Sequence, residues 1–335
     1  MLFRSVSVAE VPATHEAAGT AAHYKCSECE ELFTDANGEN ATTAEALVIP
    51  RNKNVNLATL TRKITLLDGN IVTGTLQGDK EISVASGATV TLKDVTITSL
   101  TGYYAGINPL GDATILLEGE NTLKGGYEDY PGIFVPVNTT LTIDGTGSLT
   151  ASSGGDEDSG YRCGIGGGYQ MAAGNIVING GTITANGGQW ATGIGSGFGV
   201  TCGNITITGG TITANGGGEA AGIGSGSNST CGNILITGGT ITANGGEDAA
   251  GIGSGLESTC GNITINGGTI TANGGENAAG IGGGYHSNCG DITIAGTVTQ
   301  VTATKGEGAT NSIGAGRYGT CGNISIADPS KVTQN

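Results

Sequence analysis

The fold class predicted from this sequence is all-β: a right-handed parallel β-helix, with about 29 residues and three short strands per coil. Three observations predict it. Cys202, Cys231, Cys260 and Cys289 stand 29 residues apart. Within each period, apolar residues alternate with threonine, asparagine or glycine, which is the two-residue period of a strand and not that of a helix. Glycine pairs interrupt the alternation at fixed places, as turns require.

The elements follow in order along the coil that begins at Cys202. The first strand sends Ile205 and Ile207 inward and Thr206 and Thr208 outward. After the Gly209-Gly210 turn, the second sends Ile212 and Ala214 inward and Thr211 and Thr213 outward. The corner Asn215-Gly216-Gly217 leads to the third, with Ala221 and Ile223 inward and Gly222 and Gly224 outward. One coil cannot bury its apolar side alone, so identical coils must stack.

Stacking predicts columns. The first inward position reads Val90, Ile115, Leu141, Ile176, Ile205, Ile234, Ile263, Ile292 and Ile324; the next reads Leu92, Leu117, Ile143, Ile178, Ile207, Ile236, Ile265, Ile294 and Ile326. The earlier coils step by 25, 26 and 35 residues, which places the length variation in the corners. Burying each aliphatic side chain contributes roughly 1.5–3 kcal/mol, so a core needs no aromatic residue, and aromatics make up only 4% of the chain. The 65 glycines recur at turn positions rather than in a collagen or low-complexity pattern.

Asparagine also stacks. Asn175, Asn204, Asn233, Asn262 and Asn323 form one column, interrupted by Asp291. Asn186, Asn215, Asn244 and Asn273 form another, and the two glycines after each predict a turn with positive φ. Both columns are expected to hydrogen-bond along the stack, and the repeated Asn-Ile-Thr triplets read as turn chemistry rather than as glycan acceptors.

A net charge of −16 over 335 residues excludes nucleic acid and anionic lipid as partners. No apolar run approaches the ~20 residues that span a bilayer. Residues 1–12 open on MLFRS, without the regions of a secretion signal, and are expected to be a scar or disordered. Residues 51–335 carry the predicted β-helix, with regular repeats over 173–321, and stop without an amphipathic cap; a piece cut at both ends is the expectation. The oligomeric state is left open.

Residues 13–50 lack the repeat and concentrate Cys26, Cys29, His15 and His23. Two thiolates and two imidazoles suit zinc; a closed disulfide or an idle surface module is the alternative. The stretch AHYKCSECEELFTDANGE, followed by LVIP, resembles HYKCSVCGKLF modules of surface proteins from gut Firmicutes. The repeats resemble GAGIGGG…GNITISGGTVTA arrays of bacterial surface proteins labelled carbohydrate-binding. These resemblances imply a Gram-positive cell-surface or secreted setting, and neither names a ligand.

The column Cys202, Cys231, Cys260, Cys289 and Cys321 raises the question of oxidation. Rungs about 4.8 Å apart fall within disulfide range, but an odd number cannot all pair. Buried thiols acting as small apolar groups are the preferred reading, and two bridges with one thiol left over the alternative. Cys163 stands apart, aligned with the inward Ala221.

Pectin lyases and polygalacturonases use β-helices, so catalysis has to be tested. The N-x-D, D-D and G-H-G constellation of such hydrolases, which supplies two carboxylates to the scissile bond, is missing. A lyase would draw its base from Arg162 beside Asp156, Glu157 and Asp158, but that run reads more simply as a solvated loop. A non-enzyme is expected.

Binding is the better expectation. The columns Gly193, Gly222, Gly251, Gly280 and Gly195, Gly224, Gly253, Gly282 predict a trough of bare backbone along the solenoid. Tyr169, Phe198, Leu256 and Tyr285 would flank one side, with Ser227 breaking the row; Trp190, Glu219, Asp248 and Asn277 would flank the other, with Glu247 and Glu276 alongside. Rings beside carboxylates and amides suit sugars, whose faces are apolar and whose edges are hydroxyl. A polysaccharide, from host or cell wall, is the expected partner. Calcium along Glu219, Asp248 and Glu276 is a further expectation.

Two other classes stay open. A structural stalk or adhesin repeat that binds protein is the nearest. The T-x-T columns at Thr182 and Thr184, Thr211 and Thr213, Thr240 and Thr242, and Thr269 and Thr271 also resemble the ice-binding faces of β-helical antifreeze proteins.

Overall fold

The computed structural model describes residues 4–98, 100–126, 130–154 and 160–335. Asp156, Glu157 and Asp158 lie outside the described residues. The chain divides into two compact units, residues 1–55 with 69–71 and residues 56–68 with 72–335.

In the first unit, Ser5–Val8, His23–Cys26, Leu32–Phe33 and Ala41–Thr42 pair antiparallel in that order. Cys26, Phe33 and Leu47 are buried. The stretch expected to be irregular thus contains a strand. Its SVSV sequence alternates β-branched residues, a pattern that fits a pleated edge.

The second unit is a parallel β-solenoid. In the coil named above, the strands are Ile205–Ile207, Thr211–Asn215 and Ile223–Gly224. Each pairs in register with its copy one coil on: Ile205 with Ile234, Ile212 with Ile241, Ile223 with Ile252. A further two-residue strand, Thr230–Cys231, closes the coil and pairs Cys231 with Cys260. The core is a stack of fully buried Ile, Val, Leu and Ala. The threonine columns are in register on the opposite side of the second strand.

Two expectations about the columns are corrected. Ile115 pairs with Ile143, while Leu141 stands over Ala113. The inward columns therefore slip by two residues at that coil. A two-residue slip keeps every side chain on its face, so burial is unaffected. The Asn-Gly-Gly corners also differ from expectation: neither Gly216 nor Gly217 is among the positive-φ residues. A Cβ on Gly217 would instead collide with the carbonyl of Gly188 in the coil below. Close approach, not handedness, demands glycine there. Positive φ belongs to Gly210 of the preceding turn, at +88°.

The two asparagine columns bond differently. Asn204, Asn233 and Asn262 each use Oδ1 to accept the backbone N–H of the next coil's residue, at 2.8–2.9 Å. That role needs only an acceptor, which is why Asp291 continues the column, taking the N–H of Asn323 at 2.7 Å. In the other column amide meets amide: Asn215 Nδ2 donates to Asn186 Oδ1 at 2.7 Å, and Asn244 and Asn273 repeat the contact at 2.8 Å.

Candidate functional site

The glycine columns do not form a trough. Gly193, Gly195, Gly222, Gly224, Gly251, Gly253, Gly280 and Gly282 are all buried. The third strand is a tight arc, closed in the Ile223 coil by the Ala221 N–H donating to the Ser225 carbonyl at 3.2 Å. Gly224 takes a φ of +136°, and a Cβ on it would overlap the carbonyl of Gly253. The residues repeat as glycine because the arc excludes side chains.

The columns expected to flank the trough are neighbours. The backbone N–H of Phe198 donates to the Tyr161 carbonyl at 3.1 Å, Ser227 to Trp190 at 3.0 Å, Leu256 to Glu219 at 2.9 Å and Tyr285 to Asp248 at 2.8 Å. They form one continuous rim. At one end Tyr161 gathers three rings, with centroids 5.0 Å from Tyr169, 4.5 Å from Trp190 and 5.4 Å from Phe198. At the other, Tyr285, His286 and Tyr318 meet at 4.4–5.6 Å, and the Arg317 guanidinium lies 4.9 Å from the Tyr318 ring centre. The Tyr318 hydroxyl beside Arg317, then nearby Tyr285 and Glu276, hold the guanidinium even more firmly charged than usual.

Between the clusters the carboxylates are engaged. Glu219 Oε2 accepts from Ser227 Oγ at 2.9 Å, and Asp248 Oδ1 from Asn277 Nδ2 at 2.8 Å. Arg317 Nη1 donates to Asn277 Oδ1 at 3.1 Å. Among the described residues no group of three or more His, Cys, Asp or Glu is placed to hold a metal ion. Glu219, Asp248 and Glu276 are therefore not gathered around one point.

The zinc candidates are not gathered either. The Cys26 and Cys29 thiols hydrogen-bond each other, which holds Cys26 below its usual pKa and raises Cys29; the Cys29 N–H, donating to Cys26 Sγ at 3.2 Å, lowers Cys26 further. His23 Nδ1 lies 3.0 Å from the Ala21 carbonyl, and His15 Nε2 lies 3.6 Å from Glu16 Oε1. His23 and Cys26 are three apart on one strand, an odd spacing that turns them to opposite faces.

All eight cysteines are free thiols. In the ladder, Cys202 Sγ donates to Cys231 at 2.8 Å and Cys289 Sγ to Cys321 at 2.7 Å. Contacts with Cys202 and Cys260, together with burial, push the Cys231 thiol well above its usual pKa. Cys163 is fully buried, 3.2 Å from both Thr192 Oγ1 and the Gly195 carbonyl; burial pushes its pKa up to about 12. Arg162 is also fully buried, its Nη1 donating to the Gly154 carbonyl at 2.8 Å.

Two features of the rim escaped sequence reasoning. No aromatic side chain of the solenoid is buried, among the described residues. The residue after each rim position is left-handed: Gln170, Asn228, Glu257, His286 and Tyr318 have φ between +50° and +57°, and Gly199 fills the same place at +67°. Each non-glycine residue there costs roughly 1–2 kcal/mol, and all are exposed. The signal was present in the residue pairs Phe198-Gly199, Ser227-Asn228, Leu256-Glu257 and Tyr285-His286, which change from coil to coil inside a repeat that otherwise barely varies.

Five segments, residues 141–169, 176–198, 205–227, 234–256 and 263–285, match a family model described as β-helix repeat. The parallel β-solenoid of the second unit is a β-helical repeat fold. Each matched segment of the β-helical repeat ends on the rim column, at Tyr169, Phe198, Ser227, Leu256 and Tyr285, and leaves the left-handed residue outside. No curated protein and no solved structure matches the chain. Among the described residues no helix is long and apolar enough to cross a membrane.

Proposed function

We propose that this β-helix is a non-catalytic module of a bacterial cell surface that binds carbohydrate along its rim. One observation carries the reading: every described ring of the solenoid is kept out of a core built from aliphatic residues, and the rings gather in clusters. Rings that contribute nothing to the core are available to the apolar faces of sugars. The engaged Glu219, Asp248 and Asn277 supply fixed hydrogen-bonding groups between them. The burial of Arg162 supports a non-catalytic role, because a base must reach the proton it removes. The Gram-positive, extracellular setting rests on the resemblance of residues 22–39 and of the repeats to surface proteins.

The test is a glycan array and a pull-down on insoluble polysaccharides, each with calcium present and chelated. Binding that falls in Trp190→Ala, Phe198→Ala and Tyr285→Ala supports the rim. Equal binding by wild type and all three variants, or no glycan signal, rejects it in favour of a stalk or adhesin repeat that displays or binds protein. The left-handed column favours that second reading in one respect: its exposed Gln170, Asn228, Glu257, His286 and Tyr318 differ at each coil, as a protein epitope does and a repetitive polymer site need not.

A further inference from the structure

A cavity opens where the buried glycine column of the third strand gives way to larger residues. Going down the stack from Gly195 and Gly166, the column continues as Phe134, Asn108 and Ser83. At these rungs the chain leaves a partly open space of about 140 Å³, lined by Tyr103, Tyr104, Tyr130, Phe134, Asn108 and Glu81. Four of the fourteen aromatic residues of the whole chain therefore meet at one cavity.

The walls are held in place. Asp79 Oδ1 accepts the N–H groups of Thr101 and Gly102 at 3.1 and 2.9 Å, which fixes the loop that carries Tyr103 and Tyr104. The Tyr104 carbonyl takes the Gly126 N–H at 2.8 Å, and that of Tyr130 the Gly154 N–H at 3.2 Å. Tyr103 and Tyr130 meet edge to face at 6.4 Å. Glu81 Oε1 accepts from Asn108 Nδ2 at 3.1 Å and Ser83 Oγ at 3.3 Å, so the carboxylate is oriented before any ligand arrives.

Size and chemistry narrow the occupant. A cavity of about 150 Å³ admits a benzene ring, so this one takes a single six-membered ring and not a polymer. Aromatic walls fit the C–H face of a sugar; a carboxylate, an amide and phenol hydroxyls fit its edge. A cation is the poorer fit, because Glu81 already accepts two hydrogen bonds and has Lys63 Nζ 3.9 Å from Oε2. Met171, two residues past Tyr169, also lines the cavity, so it adjoins the aromatic end of the rim.

We propose that this cavity binds the terminal sugar ring of a glycan whose following rings lie on the rim, an assignment that rests on the carbohydrate reading above. The test titrates the full chain with methyl glycosides of glucose, galactose, mannose, rhamnose, N-acetylglucosamine and glucuronic acid, and with choline chloride, by saturation-transfer NMR and calorimetry. At least one glycoside binds. Its affinity falls about tenfold or more in Glu81→Gln, which removes a charge-assisted hydrogen bond, and in Tyr104→Ala. Circular dichroism melts establish that each variant is folded.

No signal from any glycoside, with polysaccharide still bound, overturns the cavity and leaves the rim standing. Choline binding without glycoside binding overturns it in favour of a cation. Glycoside binding that survives Glu81→Gln and Tyr104→Ala overturns it by placing the ring elsewhere. Glycoside binding at the cavity with no polysaccharide bound overturns the chain-end assignment and, separately, the rim.

Discussion

The ring of Tyr161 lies nearly parallel to that of Trp190, with centroids 4.5 Å and planes 17° apart. The two residues occupy equivalent places in consecutive coils, so the β-ladder itself sets the stacking distance. Tyr161 also touches Tyr169 and Phe198, which makes it the hub of the cluster. Tyr161→Ala is expected to weaken binding to the best array polysaccharide about tenfold. Stability should fall by only about 0.5–1.5 kcal/mol per ring pair lost, because the cluster lies outside the core. Affinity electrophoresis and urea melts of one preparation separate the two effects.

Glycine content hides two kinds of position. Gly224→Ala places a Cβ against the Gly253 carbonyl at a φ of +136° and should abolish cooperative folding of the neighbouring coils. Gly199→Ala, at a φ of +67° with nothing within 4 Å, should cost only about 1–2 kcal/mol. Thermal melts by circular dichroism distinguish them; equal losses would contradict the arc described for the third strand.

Ile234 is fully buried, and its ladder partners are Ile205 below and Ile263 above. Ile234→Ala should cost about 2–5 kcal/mol and Ile234→Val about 0.5–1.5 kcal/mol. Since each coil is stabilised by its neighbours, the alanine variant should also open the coils on either side, seen as faster amide exchange around Ile205 and Ile263.

The Cys163 thiol titrates near 12 when folded, against 9.0 for an ordinary thiol. The sign follows from proton counting. Below pH 9 both states hold the proton and the stability is fully present; between pH 9 and about 12 the unfolded chain releases it and stability is lost. Cys163→Ala should therefore flatten the decline of the urea midpoint over that alkaline range. In native protein at pH 8, iodoacetamide should label exposed Cys29 and leave Cys163 unmodified, as mass spectrometry of the peptides will show.

The solenoid was legible because its signal repeats. An inward isoleucine every 29 residues leaves one stacking register, and Ile205 meets Ile234 accordingly. The coil at Leu141 was misaligned because a slip of two residues conserves the alternation that was being read. The rim residues were legible as columns, since Tyr169, Trp190, Phe198 and Tyr285 recur at set places, but their mutual position was not. That position depends on how the Asn-Gly-Gly corner and the Gly-x-Gly arc bend the chain, and glycine permits many bends. Burial of Gly222 and Gly224 follows from the same bend and could not be read from alternation alone. The cavity at Tyr103 and Glu81 was invisible because it lies where coil lengths vary and no column is repeated.

Ladder pairing joins each rung only to the ones directly above and below, and the middle rungs are almost interchangeable. Deleting the stretch from Cys231 to Thr259 would excise a whole period and let Cys202 meet Cys260 in the register already used by every other pair. The Trp190 and Tyr285 ends would then stand about 4.8 Å closer, each unaltered. Recombination among near-identical gene segments thus gives a vernier, able to tune the separation of two recognition points in whole steps without redesigning either.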